Sequence, residues 1–169
     1  MKSSRRSFLL NPLSMLLAGL LLGIAARLFD IYFQNLGEIF SQMAIWILLG
    51  TGFAIYSPTK KAAMGNIFPF CMGMLAAYYV TAAITHGVYS RTFIIALPSP
   101  VIAYFAWMAK EPGAFSKIIA AGIAAVSVIS SVLLFDHLRL YDFVIDGVLI
   151  YILFFKKIKR SQKRKDWNE

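Results

Sequence analysis

Ionisable side chains at helical spacing are the residues of this sequence that could do chemistry. Arg139, Asp142 and Asp146 recur at i, i+3 and i+7, which places them on one stripe of a helix beginning near "RLYDFVID". Arg27 and Asp30 repeat the i, i+3 spacing near the start of the chain. Carboxylates and arginines on facing helices can hold a small solute or an ion, or they can pair with one another. We therefore predict that Arg27 joins the Arg139 stripe in one cluster, with either a binding or a structural role.

The composition of the chain indicates what kind of elements position these residues. Of the 169 residues, 59% are hydrophobic and only 15% are charged, whereas a water-soluble domain carries about 25% charged residues. The opening "SRRSFLL" resembles the twin-arginine start of an export signal. The apolar excess nevertheless continues to residue 157, far beyond a cleavable peptide of roughly 15 to 30 residues. We interpret the opening stretch as a cytoplasmic anchor.

Six stretches are apolar enough to cross a hydrocarbon core, which takes about 20 residues. Their connections are short and carry turn or charge signals, and none of them separates two domains. The predicted fold is a single all-α transmembrane bundle over residues 1–169, with a basic tail at 156–169. The predicted spans are about 12–29, 38–56, 62–85, 92–109, 114–135 and 140–157.

Basic residues give the predicted bundle an orientation. Alternate connections and the two ends of the chain hold 14 of the 17 lysines and arginines, and the other three are Arg27, Arg91 and Arg139. Positive residues concentrate on the cytoplasmic side, so both termini are expected there, in the inner membrane of a bacterium. The basic tail is expected to contact anionic lipid headgroups rather than nucleic acid, because no aromatic residue interrupts its basic run.

The opposite side of the predicted bundle holds a set of ionisable and aromatic residues. An ionisable group at depth costs roughly 2.5 to 3.5 kcal/mol on insertion scales, so it normally faces a protein interior or a watery cavity. Residues at span ends can instead extend to the interface, although Asp146 lies about one turn inside its span. The predicted ligand-binding residues are Arg27, Asp30, Tyr79, His86, Arg91, Arg139, Asp142 and Asp146.

The fourth predicted span contains two prolines in the stretch "ALPSP". Pro98 and Pro100 remove two backbone donors, which predicts a bend or break about 10 to 14 Å from the outer end of the span. Broken helices at that depth often line substrate sites in transporters. Prolines also serve packing in membrane helices, so both interpretations remain open.

Small residues mark helix faces that allow close approach of a neighbouring helix. One such face lies in the first predicted span and another in the fifth. These faces either bury one another within the bundle or dock a partner protein or a second copy of the chain. Their members are Gly19 and Gly23 in the first span and Ala120, Ala124, Ser127 and Ser131 in the fifth.

Motifs of known enzyme chemistries are absent from the sequence. It contains no phosphate-binding glycine loop, no HExxH and no GxSxG, and we expect no cofactor. Two histidines and one cysteine do not by themselves make a typical zinc site, and we expect no metal. A lipid-modifying enzyme with Asp142, Asp146 or His86 as acid or base is a further alternative.

Four stretches carry a resemblance to a known family. "GLLLGIAARLFD", "IWILLG", "AAYYVTAAITHGVYSRTF" and "PSPVIAYFAWM" together resemble a family of small bacterial integral membrane proteins of unknown function. That resemblance covers nearly the whole chain and implies no activity. In size, span number and orientation the chain is also similar to the substrate-binding S-components of energy-coupling-factor vitamin transporters. Their first helix presents an alanine-rich surface to a partner, and the matching residues here are Gly19, Gly23 and Ala26.

These observations lead to two main functional hypotheses. The first is a non-enzymatic membrane protein that binds or transports a small solute through an outward-facing polar pocket between spans one, four and six. The second is a structural or regulatory membrane protein whose small-residue faces dock partner helices. Charges that converge on a cavity beside Pro98 favour the first hypothesis, and charges that pair off without a cavity favour the second.

Overall fold

Helices account for most of the residues that the computed structural model describes, which are 10–40, 43–85, 96–135 and 140–156. These residues contain no β-strand, so the predicted all-α class is confirmed. Within them, seven α-helices follow one another, and a π-helical segment, Tyr151–Phe155, continues the last. The helices are α1 (Pro12–Tyr32), α2 (Gln34–Phe40), α3 (Met43–Tyr56), α4 (Lys60–Ile84), α5 (Ser99–Met108), α6 (Ala114–Phe135) and α7 (Leu140–Ile150).

Helices α1, α4 and α6 are each long and apolar enough to cross a membrane, judged by length and composition. Helices α3 and α5 are shorter but also apolar. The predicted second span, 38–56, is divided between α2 and α3, and the predicted fourth span, 92–109, contains α5, which begins at Ser99. Residues 41–42, between α2 and α3, lie outside the described residues, and so do residues 86–95, which include the start of the predicted fourth span.

Two prolines set the start of α5. Residues 96–98 form a turn, Pro98 is the N-cap, and Pro100 lies in the first turn of the helix. Proline has no N–H and a fixed φ, so it is tolerated in the first turn, where the amide would lack an intrahelical partner. The "ALPSP" stretch therefore supplies a helix start.

The most extensive helix contact is between α1 and α4, and glycine makes the close approach possible. A Cβ atom at Gly19 would overlap the carbonyl oxygen of Phe70, and one at Gly23 would overlap that of Met74. Gly73 makes the reciprocal approach to the backbone of α1. Small residues let helix backbones come together, so dispersion contacts accumulate along both helices.

Helix α3 lies at the centre of the remaining helices, in contact with α4, α5, α6 and α7. Two apolar clusters pack around it, and alanine is their commonest residue type, which keeps the helices close. The buried members are Ala54, Ala63, Ile67, Ala103 and Ala106 in one cluster and Ile55, Ala109, Ala120, Leu149 and Leu153 in the other.

A buried asparagine connects the ends of several helices. The side-chain amide of Asn66 donates to the carbonyl of Leu10 over 3.0 Å and to the hydroxyl of Ser57 over 3.2 Å. The indole N–H of Trp107 donates to the carbonyl of Ser57 over 3.0 Å. Because a buried polar group without a partner costs roughly 1 to 3 kcal/mol, this network favours one arrangement of the ends of α1, α3 and α5 around α4.

Candidate functional site

Two carboxylates on α7 lie inside the bundle. Asp142 has no exposed surface, and Asp146 is 6% exposed. They share one stripe of the helix with the buried residues Ile145 and Leu149, whereas the adjacent Phe143 is 62% exposed. A charged carboxylate in an apolar environment needs a hydrogen-bond donor or a cation nearby. These two residues therefore define the candidate site.

Helix α6 supplies a polar partner for Asp146. The buried hydroxyl of Ser127 donates to Oδ1 of Asp146 over 2.5 Å. Ser131, one turn further along α6, is also buried and donates to the backbone carbonyl of Ser127 over 3.2 Å. At 1.5 Å per residue, Asp146 lies about 9 Å from the start of α7. The contact between α6 and α7 is therefore polar at the level of Asp146.

The chemistry of this site is that of oxygen ligands with negative charge. Asp142 and Asp146 lie one helical turn apart on α7, and the Ser127 hydroxyl lies beside the carboxylate of Asp146. Two like charges at this spacing favour a bound positive charge, which can be a metal cation, an ammonium group or a proton. Within the described ranges, no group of three or more His, Cys, Asp or Glu side chains is placed to hold a metal ion.

The charged residues of α1 lie against α4. The hydroxyl of Tyr78 donates to Oδ2 of Asp30 over 2.9 Å, and Nε of Arg27 donates to the hydroxyl of Thr85 over 3.4 Å. Tyr79 is half-buried, with its ring edge-to-face against that of Tyr78. The contacts of these residues thus place them at the α1–α4 pair, and their convergence with the carboxylates of α7 stays a prediction.

One hydrogen bond connects the region around α1 with the start of α7. The hydroxyl of Tyr141 donates to Oε2 of Glu38 over 3.3 Å. Glu38 belongs to α2, which packs against α1, and Tyr141 directly precedes Asp142. The polar residues of both helix pairs therefore lie toward the same end of the bundle.

The predicted packing residues face the interior of the bundle. Gly19 and Gly23 are buried against α4. On α6, Ala120 is buried, and Ala124 is half-buried against the apolar cluster that contains Leu149. The small-residue faces of α1 and α6 are therefore occupied by helices of the same chain.

The remaining predicted residues lie elsewhere. Pro98 and Pro100 flank Ser99, whose buried hydroxyl lies beside the Cys71 thiol on α4. This contact belongs to the α4–α5 pair rather than to the α6–α7 pair. Three further predicted ligand-binding residues fall outside the described ranges, and they are His86, Arg91 and Arg139.

No family model, curated protein or solved structure matches the chain. The α6–α7 carboxylates, with their serine partner, are the most deeply buried ionisable group of residues that the structure describes.

Sequence reasoning missed the polar role of Ser127, which it assigned to packing alone. A signal for that role was present, because Ser127 and Asp146 lie at similar distances from the α6–α7 connection. Helices joined by a short connection run antiparallel, so residues equally far from it face each other. Glu38 and Tyr141 were missed as a pair because nothing local in the sequence links α2 with α7.

Proposed function

We propose that this chain is a multi-pass protein of a bacterial inner membrane, with six crossings and both termini in the cytoplasm. Lysines that follow α3, α5 and α7 gather at one end of the bundle, which supports this topology. Lys60 pairs with Glu111 at 2.9 Å, and Lys110 donates to the backbone carbonyl of Lys156 over 2.8 Å. Positive residues remain on the cytoplasmic side of a membrane, so alternate connections belong to that side.

Helix lengths in the described ranges support three of the six proposed crossings. Helices α1, α4 and α6 reach the required length alone. Helix α7 with its π-helical continuation runs from Leu140 to Phe155, which is about 24 Å at 1.5 Å per residue. Helices α3 and α5 are shorter, with 14 and 10 residues.

Within this membrane protein, the carboxylates between α6 and α7 bind a small cationic solute. The observation that carries this function is the burial of Asp146 in an apolar helix, with the Ser127 hydroxyl 2.5 Å from its carboxylate. Ionisable groups in such positions ordinarily mark ion, proton or substrate pathways. A second carboxylate one turn away, that of Asp142, selects for positive charge.

The solute class follows from the ligand set. Carboxylate and hydroxyl oxygens bind hard cations and protonated amines, and the two carboxylates of this site favour solutes that carry positive charge. The site lies toward the end of the bundle where α7 begins, which the proposed topology assigns to the outer side. Solute therefore enters from outside the cell.

A structural or regulatory role through small-residue faces has less support. Gly19, Gly23 and Ala26 are all buried, and the two glycines contact α4 of the same chain. The resemblance to S-components implies that this face of α1 docks a partner protein. In this structure the same face packs against α4, so the contact does not support that implication. A third proposal is an enzymatic role for the α7 carboxylates. His86, an alternative acid or base for such a role, lies outside the described residues.

Two serine variants on α6 test cation binding at the site. We expect sodium or methylammonium to raise the unfolding temperature of the purified protein, because a ligand at 100 times its Kd stabilises the folded state by about 2.7 kcal/mol. The variant Ser127→Ala is expected to weaken binding about tenfold, because it removes the hydroxyl oxygen proposed as a ligand of the cation, and a polar contact to a charged group contributes about 1.5 kcal/mol.

The matched control is Ser130→Ala. The Ser130 hydroxyl donates to the backbone carbonyl of Ser127 over 2.7 Å, within its own helix. This control variant should bind the cation as the unmodified protein does. The proposed site is contradicted if neither sodium nor methylammonium stabilises the protein. It is also contradicted if Ser127→Ala and Ser130→Ala bind the cation with equal affinity.

A further inference from the structure

A cavity of about 560 Å³ opens at the lysine-rich end of the bundle. It lies where the end of α5, the start of α6 and the π-helical segment meet. Its wall combines two kinds of side chain, the amines of lysines and apolar groups. The residues that matter here are Lys110, Lys117, Lys156, Ala120, Leu153 and Phe154.

The charges around this cavity are predominantly positive. Lys110 donates to the backbone carbonyl of Lys156, which brings two lysines to the same rim, and Lys117 adds a third amine from the first turn of α6. Glu111 also lines the cavity, but Oε1 and Oε2 of its carboxylate lie 2.9 and 3.1 Å from Nζ of Lys60. This lysine comes from a different part of the chain and offsets the negative charge.

The start of α6 adds to the attraction for anions. This helix of 22 residues begins at Ala114, directly after Gly113, whose φ of 134° is accessible to glycine. The first amides of a helix have no intrahelical acceptor, and the helix dipole is positive at this end. Ser116 and Lys117 of this first turn line the cavity. The positive end of this helix and the lysine amines therefore lie at the same cavity.

The protonation state of Lys156 supports the same conclusion. Its ammonium group lies 5.5 Å from the centre of the Tyr56 ring. The neighbouring Tyr56 side chain raises the pKa of Lys156 above its usual value. This lysine is therefore positively charged at neutral pH.

We propose that this cavity binds the phosphate of an anionic phospholipid headgroup, held by Lys110, Lys117 and Lys156 at the mouth of the cavity. A phosphate that is free in solution shares the same charge chemistry. The lipid is the better fit because Leu153 and Phe154 line the same cavity, and Phe154 is 47% exposed beside it. A headgroup at the rim leaves the glycerol and acyl chains against this apolar wall. Basic pockets on the cytoplasmic side of membrane proteins bind such headgroups.

The double variant Lys110→Gln with Lys117→Gln tests the site. Purified protein is titrated with phosphatidylglycerol in detergent, and lipid binding is counted by native mass spectrometry. We expect binding to weaken about 25-fold, because each lysine near a charged headgroup contributes roughly a factor of five. The control is Lys61→Gln, which removes an exposed lysine at the same end of the bundle but outside the cavity wall. It should bind lipid within about twofold of the unmodified protein.

Two further binding measurements distinguish the phosphate of a lipid headgroup from a phosphate that is free in solution. Phosphatidylcholine, which has the phosphate but no net charge, should bind at least tenfold more weakly than phosphatidylglycerol. Inorganic phosphate should fail to displace bound phosphatidylglycerol. Displacement by inorganic phosphate at similar concentration assigns the cavity to a soluble anion and overturns the lipid proposal. Equal lipid binding by the double variant and the Lys61→Gln control overturns the site itself.

Discussion

Replacing Asp146 with asparagine is expected to weaken cation binding about 100-fold. The substitution keeps the shape of the side chain and removes the negative charge that lies 2.5 Å from the Ser127 hydroxyl oxygen. Removal of one partner from a buried, hydrogen-bonded charge pair costs about 3 kcal/mol of binding free energy. Calorimetric titration of the purified protein with sodium and with methylammonium measures this change.

The same Asp146→Asn variant should lose cation affinity without losing stability. In the absence of cation, the carboxylate is a buried charge with one described hydroxyl donor, that of Ser127. The asparagine carbonyl still accepts that hydrogen bond, and the desolvation penalty of the charge disappears. The free energy of unfolding without cation is therefore expected to stay equal or rise by about 1 kcal/mol. A structural ion pair predicts the reverse, a loss of stability with no effect on cation binding.

The matched control for this variant is Asp30→Asn. Asp30 is a carboxylate on α1 that accepts a hydrogen bond from Tyr78 on α4. Cation affinity in this control should change by less than about threefold, because its charge is at the other helix pair and is screened by water and ions. A large loss of affinity in both variants contradicts a site confined to α6 and α7 and points to the wider pocket predicted from the sequence.

The second large effect concerns the α1–α4 contact. The variant Gly23→Ala adds a Cβ atom that would overlap the carbonyl oxygen of Met74. Backbone cannot move aside as a flexible side chain can, so α1 must shift away from α4 and lose contacts along its length. We expect a loss of about 2 kcal/mol in the free energy of unfolding, within the range for overpacked interiors. Denaturation by a mixture of mild and harsh detergents measures it.

Gly65→Ala is the control for this loss. Gly65 lies on α4 and is exposed, and a Cβ atom built there meets nothing within 4 Å. Alanine in a helix interior is favoured over glycine by about 0.5 to 1 kcal/mol, so this variant should be slightly more stable than the unmodified protein. Destabilisation of both variants to the same degree contradicts the role assigned to close approach at Gly23.

The long helices were predictable because their signal is local. The predicted spans 12–29, 62–85 and 114–135 overlap α1, α4 and α6 almost completely, since an uninterrupted apolar run of that length can satisfy its backbone only as a helix in lipid. The division of the second span into α2 and α3 was not predicted. Only the two polar residues Ser41 and Gln42 separate Phe40 from the next apolar run, and no proline marks a boundary there.

The candidate site was predictable only in part. The stripe of Asp142 and Asp146 follows from helical periodicity and is present on α7. The partner of Asp146 could not be derived in the same way, because pairing depends on how α6 rotates about its own axis against α7. The network of Asn66, Ser57 and Trp107 joins positions far apart in sequence, and such contacts leave no periodic signal.

The most direct test of the account is the reaction of intact membranes with dicyclohexylcarbodiimide, which modifies carboxyl groups in apolar surroundings. The adduct is located by mass spectrometry of the protein, and its rate of formation is measured with and without sodium or methylammonium. The account predicts an adduct on Asp142 or Asp146 that forms several-fold more slowly when a bound cation occupies the site. An adduct that forms at the same rate with every cation, or no adduct on α7 at all, contradicts a solute site between α6 and α7.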